Sequence, residues 1–239
     1  MKISVLSVSN RQNGLDMVKR CLDRQTFDDF EWIIVSPLKL DLPNVVPDPP
    51  KSTPYWNLNA CYNAGIKKCK GELIVSIQDF IWFEPTALEK FWFNYKAVGP
   101  KACISGVGDI YKDIENGKPE NIIWNDPRKR NNVGGFSECN AIDIEFNFSA
   151  IPRQAYYDIG GCDEVLDNKG YDPVNLNVCY RLEMLGYKFY LDHTNECRGW
   201  RHEAHPRDWD SNLTFLNGSQ NERLKDYRTN GVKLNYLTI

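Results

Sequence analysis

The sequence predicts an α/β fold, a mostly parallel, Rossmann-like sheet flanked by helices. Three observations carry that prediction. Short aliphatic runs alternate with segments of helical period from the first residues onward. Glycine and proline punctuate the joints, at Gly71, Pro85, Gly160-Gly161 and Gly186. One stretch, Asn63 to Pro85, reads as helix, glycine turn and buried strand, closed by a single acid, Asp79, where the strand runs out. In an open α/β sheet ligands bind at the carboxyl ends of the strands, so an acid there is placed to hold a metal or a polar ligand.

The elements follow in order. Ile3 to Ser9 is a first strand closed by Asn10-Arg11, and residues 14–25 carry Leu15, Val18 and Leu22 at helical spacing. Glu31 to Ser36 is a second buried strand, which makes the opening a βαβ unit. Residues 37–54 hold six prolines and read as a loop, because proline supplies no ladder donor and biases its predecessor toward extended geometry. A helix over Trp56–Lys68 and a strand over Glu72–Ile77 follow. Pro85 then opens a helix whose buried face is Leu88, Phe91, Trp92 and Tyr95, and Ala102 to Val107 is a strand. Residues 125–135 look mobile, a plausible lid. Ile142, Ile144, Phe146 and Phe148 alternate with polar residues, a period of two that predicts a strand with one buried face. Pro152 to Ile159 reads as a short helix. Asp172-Pro173 supplies an N-cap and a first-turn proline for a helix to Leu185, and a strand follows over Tyr187–Leu191. There is no internal repeat and no sign of a second domain.

With 239 residues the chain is long enough for one large domain, and its 42% hydrophobic and 26% charged composition is that of a soluble protein. A net charge of −3 argues against nucleic acid as the main partner, although a local basic patch such as Arg128-Lys129-Arg130 keeps it open. No apolar run is long enough for a transmembrane segment, and the N-terminus shows no signal-peptide pattern. The eight scattered cysteines read as small buried hydrophobes in a reducing, cytoplasmic compartment rather than as a zinc site.

Three stretches resemble the family 2 glycosyltransferases, nucleotide-diphospho-sugar transferases of GT-A fold: SVLSVSNR, then NAGIKKCKGELIVSIQDFIWFEPTALEKF, then IPRQAYYDIGGCDEVLDNKGYDPVNLNVCYRLEMLGYKF. The resemblance spans most of the chain. It implies a single domain over 1–239, with a nucleotide-sugar half over about 1–100, an acceptor half over about 101–205 and a tail over about 206–239. It implies transfer of a sugar from a UDP-, GDP- or dTDP-linked donor to the hydroxyl of a glycan or other acceptor, inverting and assisted by Mn²⁺ or Mg²⁺. The family's D-x-D motif stands here as Gln78-Asp79-Phe80, with one acid. By the resemblance, Ser9, Asn10, Arg11, Asn63, Gln78 and Asp79 contact the donor, and Asp79 with His202 and His205 hold the metal. Asp172 is then the foremost candidate base, with Asp163 and Glu164 as alternatives; Asp172 has a competing reading as a helix cap. Other readings are a catalytically silent sugar- or nucleotide-binding protein of the same fold and a nucleotidyltransferase.

Overall fold

The computed structural model describes residues 1–51, 56–114, 118–131, 135–169, 174–200 and 223–238. The strands are β1 (Ile3–Val8), β2 (Phe30–Ser36), β3 (Val45–Pro47), β4 (Leu73–Ile77), β5 (Ile81–Phe83), β6 (Ala102–Tyr111), β7 (Ile122–Trp124), β8 (Phe136–Cys139), β9 (Phe148–Pro152) and β10 (Lys188–Trp200). The helices are α1 (Gln12–Leu22), α2 (Leu58–Ile66), α3 (Ala87–Val98), α4 (Arg153–Asp158), α5 (Val174–Met184) and a helix over 223–230. The described strands form one sheet in the order β3-β2-β1-β4-β9-β6-β10-β5, with β7 on β6 and β8 on β10. β1 pairs in parallel with β2 and β4, whereas β9 runs antiparallel between β4 and β6. The result is a mixed α/β architecture, parallel in its first half and crossed by antiparallel strands in its second.

Residue parity along the strands sorts the core into two layers. Val5, Ile34, Val75 and Ile77 meet α1 and α3 through Leu15, Val18, Leu88 and Phe91. Leu6, Ile33, Val35 and Ile74 meet α2 and α5 through Cys61, Ile66, Val178 and Leu182. Both faces are covered, which is why β1 and β4 are buried along their whole length. All eight cysteines are free; seven are buried and Cys139 is half-buried, in keeping with the apolar reading. Burial pushes the thiols of Cys61 and Cys69 up to about 12.

Four regions differ from their predicted form. The proline-rich stretch contributes a three-residue edge strand, β3, which ends on Pro47 where a missing donor costs least. The alternating segment 142–149 joins a strand only at its last two residues: Ala141–Asp143 is a 3₁₀ turn held by a reciprocal capping box between Asn140 and Asp143. Ile144, Phe146 and Phe148 are buried as expected but Ile142 is exposed, and the strand lies further on, at β9. The strand after α5, expected over Tyr187–Leu191, runs nine residues further, to Trp200, because its polar second half, past a bulge at Asp192–Glu196, finds β6 on one side and β5 on the other. The described part of the expected lid is pinned. Asp126 is 1% exposed and accepts hydrogen bonds from the Gly108 and Arg128 amides and the Arg128 guanidinium. Lys129 pairs with Asp109 at 2.9 Å and Glu196 at 3.2 Å. Of the basic run, Arg128 and Lys129 are therefore already paired with acids.

That pinning has a pH signature. Burial pushes the Asp126 carboxyl up, but the Arg128 bonds and the two amides pull it down further, and the net displacement is below the ordinary value. A depressed carboxylate contributes stability that is present above its unfolded pKa, about 4, and is lost as pH falls through the folded value. We expect Asp126→Asn to flatten the acid limb of the stability–pH curve while lowering stability at neutral pH. Urea midpoints for both proteins across that range measure it; parallel acid limbs would remove Asp126 from the account.

Candidate functional site

The carboxyl ends of β1 and β4 are adjacent because the strands are hydrogen-bonded in parallel. That pairing brings Ser9 and Arg11 onto Asp79, 70 and 68 residues away. Asp79 is 5% exposed. Its Oδ2 accepts hydrogen bonds from the Ser9 hydroxyl and, at 2.8 Å, from Arg11 Nε. Its Oδ1 accepts from Arg11 Nη2, so the guanidinium grips the carboxylate by two parallel bonds. Ser9 also receives the Arg11 amide at 3.0 Å, which fixes the turn leaving β1. Gly14, in the first turn of α1, packs on the Asp79 backbone so closely that any side chain there would overlap its carbonyl. The chain is thus shaped to bring α1, β1 and Asp79 together.

The neighbours are placed as follows. Asn10 is exposed at the end of β1, and Gln78 is half-buried with its amide on the Asn147 carbonyl at 3.0 Å. The Trp200 amide, at the end of β10, donates to the Phe80 carbonyl at 2.7 Å. His202 and His205, the expected histidine ligands, lie outside the described residues, as does Asp172.

A second group forms where α2 meets the turn after α4. Asn63 is 1% exposed, donates to the Cys162 carbonyl at 2.9 Å and to Glu164 Oε1 at 2.8 Å, and accepts the Cys162 amide at 2.8 Å. Both its amide atoms are therefore bonded within the protein, and it ties α2 to the Gly160–Glu164 turn. Asp163 has no exposure at all: Oδ2 accepts from Arg223 and from the Tyr227 hydroxyl, and Oδ1 from the Val165 amide at 3.2 Å. Glu164 is only half-buried and lines a cavity of about 230 Å³ with Asn57, Ala60, Asp167 and Tyr236. The cavity lies beside the first turn of α2, through Asn57 and Ala60.

Asp167 is a residue the sequence reading missed. Its carboxylate accepts the amides of Asn59 and Ala60, both at 2.9 Å, and the Asn59 side chain at 2.8 Å. It caps the first turn of α2 from 107 residues away. No local pattern in the sequence signals this, because Asn57 stands at the N-cap of α2 yet makes no capping bond of its own. Burial pushes the Asp167 carboxyl up, with the three donors pulling against it.

The resemblance implies a divalent cation, and the described residues do not fit one. Among them no three His, Cys, Asp or Glu side chains come together as a shell. Both oxygens of Asp79 are already bonded to Arg11, and a hard cation needs those lone pairs.

No protein-family model matches the chain, and no curated protein matches it in sequence. Among solved structures it is similar to a crystal structure of GalNAc-T7 with UDP, GalNAc and Mn²⁺, at a TM-score of 0.62 and 12% identity. The match covers 84% of this chain and 44% of that one, so the chain spans less than half of the neighbour's length. The likeness is one of fold: the mixed α/β sheet flanked by helices is consistent with a GT-A-like fold.

Proposed function

We propose that the protein transfers a glycosyl group from a nucleoside-diphosphate sugar to an acceptor hydroxyl. The observation that carries this reading is the Ser9–Arg11–Asp79 cluster at the carboxyl ends of β1 and β4, in a fold shared with a UDP-bound transferase. Asn10, Arg11 and Gln78 would face the donor. The reaction is a single displacement with inversion: the acceptor oxygen forms a bond to the anomeric carbon, the bond from that carbon to the diphosphate breaks, and the acceptor proton passes to a carboxylate. Of the two acids in the Gly160–Glu164 turn, Glu164 has the access a base needs, while Asp163 is enclosed. Asp172 stays a candidate from the sequence. The cation expected at Asp79 is left out of this scheme, since the described residues do not assemble its shell. Eight free thiols support a reducing, cytoplasmic setting, and no described helix is long and apolar enough to cross a membrane.

The test is a panel of UDP-, GDP- and dTDP-sugars scored for nucleoside-diphosphate release with and without an acceptor mixture. We expect one donor to be consumed. Release of pyrophosphate would instead mark a nucleotidyltransferase. Donor binding with every donor left intact would favour the silent binder, a second reading supported by the full engagement of both Asp79 oxygens.

A further inference from the structure

The guanidinium of Arg11 sits on Asp79, the one carboxylate at the donor end of the sheet for which a cation was expected. An arginine in that place does not have to wait for a metal. It carries five N–H donors in a planar fork suited to carboxylates and phosphates. Asp79 takes two of those donors, through Nε and Nη2. The other three have no partner among the described residues, and the side chain is 28% exposed against 6% for Asp79. The group is therefore anchored on its inner edge and open on its outer edge. Gly14 holds the anchor in place, because α1 can approach the Asp79 backbone only without a side chain there. Arg11 is also the residue from which α1 starts, and the first turn of that helix carries no acid to offset its positive end.

Admitting a divalent ion to Asp79 would mean breaking the two-bonded ion pair and leaving Arg11 beside a second cation. Nothing among the described residues offers the replacement carboxylates such an ion would need. Gln78 and Phe80, which flank Asp79, have no acid to contribute.

We propose that Arg11, oriented by Asp79, is the resident cation of the donor site and takes the diphosphate of the nucleotide sugar directly, so that donor binding needs no divalent metal. The proposal rests on the nucleotide-sugar reading above and assigns Asp79 a positioning role in place of a metal-ligand role.

The experiment is a titration of UDP, GDP and dTDP against the full chain, followed by calorimetry and by melting temperature, once in EDTA and once in Mn²⁺. We expect one nucleotide to bind in EDTA, with dissociation constants in the two buffers agreeing within about twofold. Arg11→Ala is expected to weaken that binding by at least about tenfold, and Arg11→Lys to fall between, since lysine keeps the charge and loses the fork. Binding that appears only with Mn²⁺ would overturn the proposal and leave the nucleotide-sugar reading standing. Failure of every nucleotide to bind in either buffer would overturn both. The comparison of buffers uses the unaltered protein, so it decides the matter even where an Arg11 variant folds poorly.

Discussion

Replacing Arg181 by methionine is expected to lower the melting temperature by roughly 10 °C, from about 3–5 kcal/mol for disrupting a buried charged network in a domain of this size. Arg181 has no exposure. Its Nη1 donates to the Ile159 carbonyl at 3.0 Å and the Val232 carbonyl at 3.4 Å, its Nη2 to the Gly161 carbonyl at 2.6 Å, and its Nε to Asn177 at 3.0 Å. The guanidinium also lies over the Tyr227 ring, 5.4 Å from its centroid. Burial pulls its pKa down, with Tyr227, Cys162 and Asp163 pushing the other way, but an arginine stays charged near neutrality. Methionine fills similar length and takes a donor from three carbonyls: Ile159 keeps the Leu234 amide, while the buried Gly161 carbonyl and the part-buried Val232 carbonyl lose the bond, at about 1–3 kcal/mol for a buried group left unpaired. The affected carbonyls belong to the turn after α4 and to the C-terminal segment, so the loss is shared between two parts of the chain. The C-terminal segment is joined to the same turn by backbone bonds, from the Leu234 amide to Ile159 at 2.8 Å and from the Tyr236 amide to Gly160 at 3.0 Å. Gly160 permits this contact: its φ is +68°, and any side chain would run into the Leu234 backbone. Lys19→Met, in an exposed pair with Asp23, is the control and should stay within about 0.5 kcal/mol of the parent. A loss for Arg181→Met no larger than that of the control would show that the network does not hold the segment.

The first half of the fold was legible because its signals are local. The strand β1, the helix α1 and the run from α2 through β4 to Asp79 each carry their own period and their own glycine or proline stop. Parallel pairing of β1 with β4 then follows from handedness and brings Arg11 to Asp79, though nothing in the spacing of two residues 68 apart shows that they form a two-bonded pair. What the sequence hid was decided by partners distant along the chain. The second half of β10, ECRGW, reads as polar coil, and it is a strand only because β6 and β5 supply its ladder. Segment 142–149 has the period of a strand, but side chains at Asn140 and Asp143 satisfied the backbone locally and closed a turn instead. Asp163 and Asp167 look alike in the sequence, two acids in one loop. One is a counter-ion for Arg223 and the other a cap for α2, and each role depends on a helix contributed from elsewhere in the chain.

Asp163 and Glu164, neighbours in the chain, are expected to respond to substitution in opposite ways. Asp163→Ala should cost about 3 kcal/mol of stability, the lower end for breaking a buried pair because Arg223 is 24% exposed and regains water. The carboxylate holds Arg223 at 2.8 Å through Nε and accepts the Tyr227 hydroxyl, which in turn accepts from Asn177 at 2.9 Å. Burial first, then Asp163, push the Tyr227 hydroxyl up to about 12 against the pull of Arg181, so tyrosine remains the donor in that bond. Removing Asp163 therefore takes the acceptor from Arg223, the Tyr227 hydroxyl and the Val165 amide, and loosens the helix over 223–230 from the turn that carries Glu164. Glu164→Gln makes no such demand. Its Oε1 takes one bond from Asn63, an amide oxygen can accept that bond equally, and the side chain borders an open cavity. We expect its melting temperature to stay within about 2 °C of the parent, a shift of under 1 kcal/mol in a domain of this size. On the proposed chemistry, loss of the base should lower kcat by about 10²–10⁴-fold with little change in donor binding. Thermal melts and single-turnover transfer by the two variants separate the roles. Full transfer activity in Glu164→Gln would move the base elsewhere, with Asp172 next to be replaced, while an unaltered melt in Asp163→Ala would mean that the C-terminal helix is held without its counter-ion.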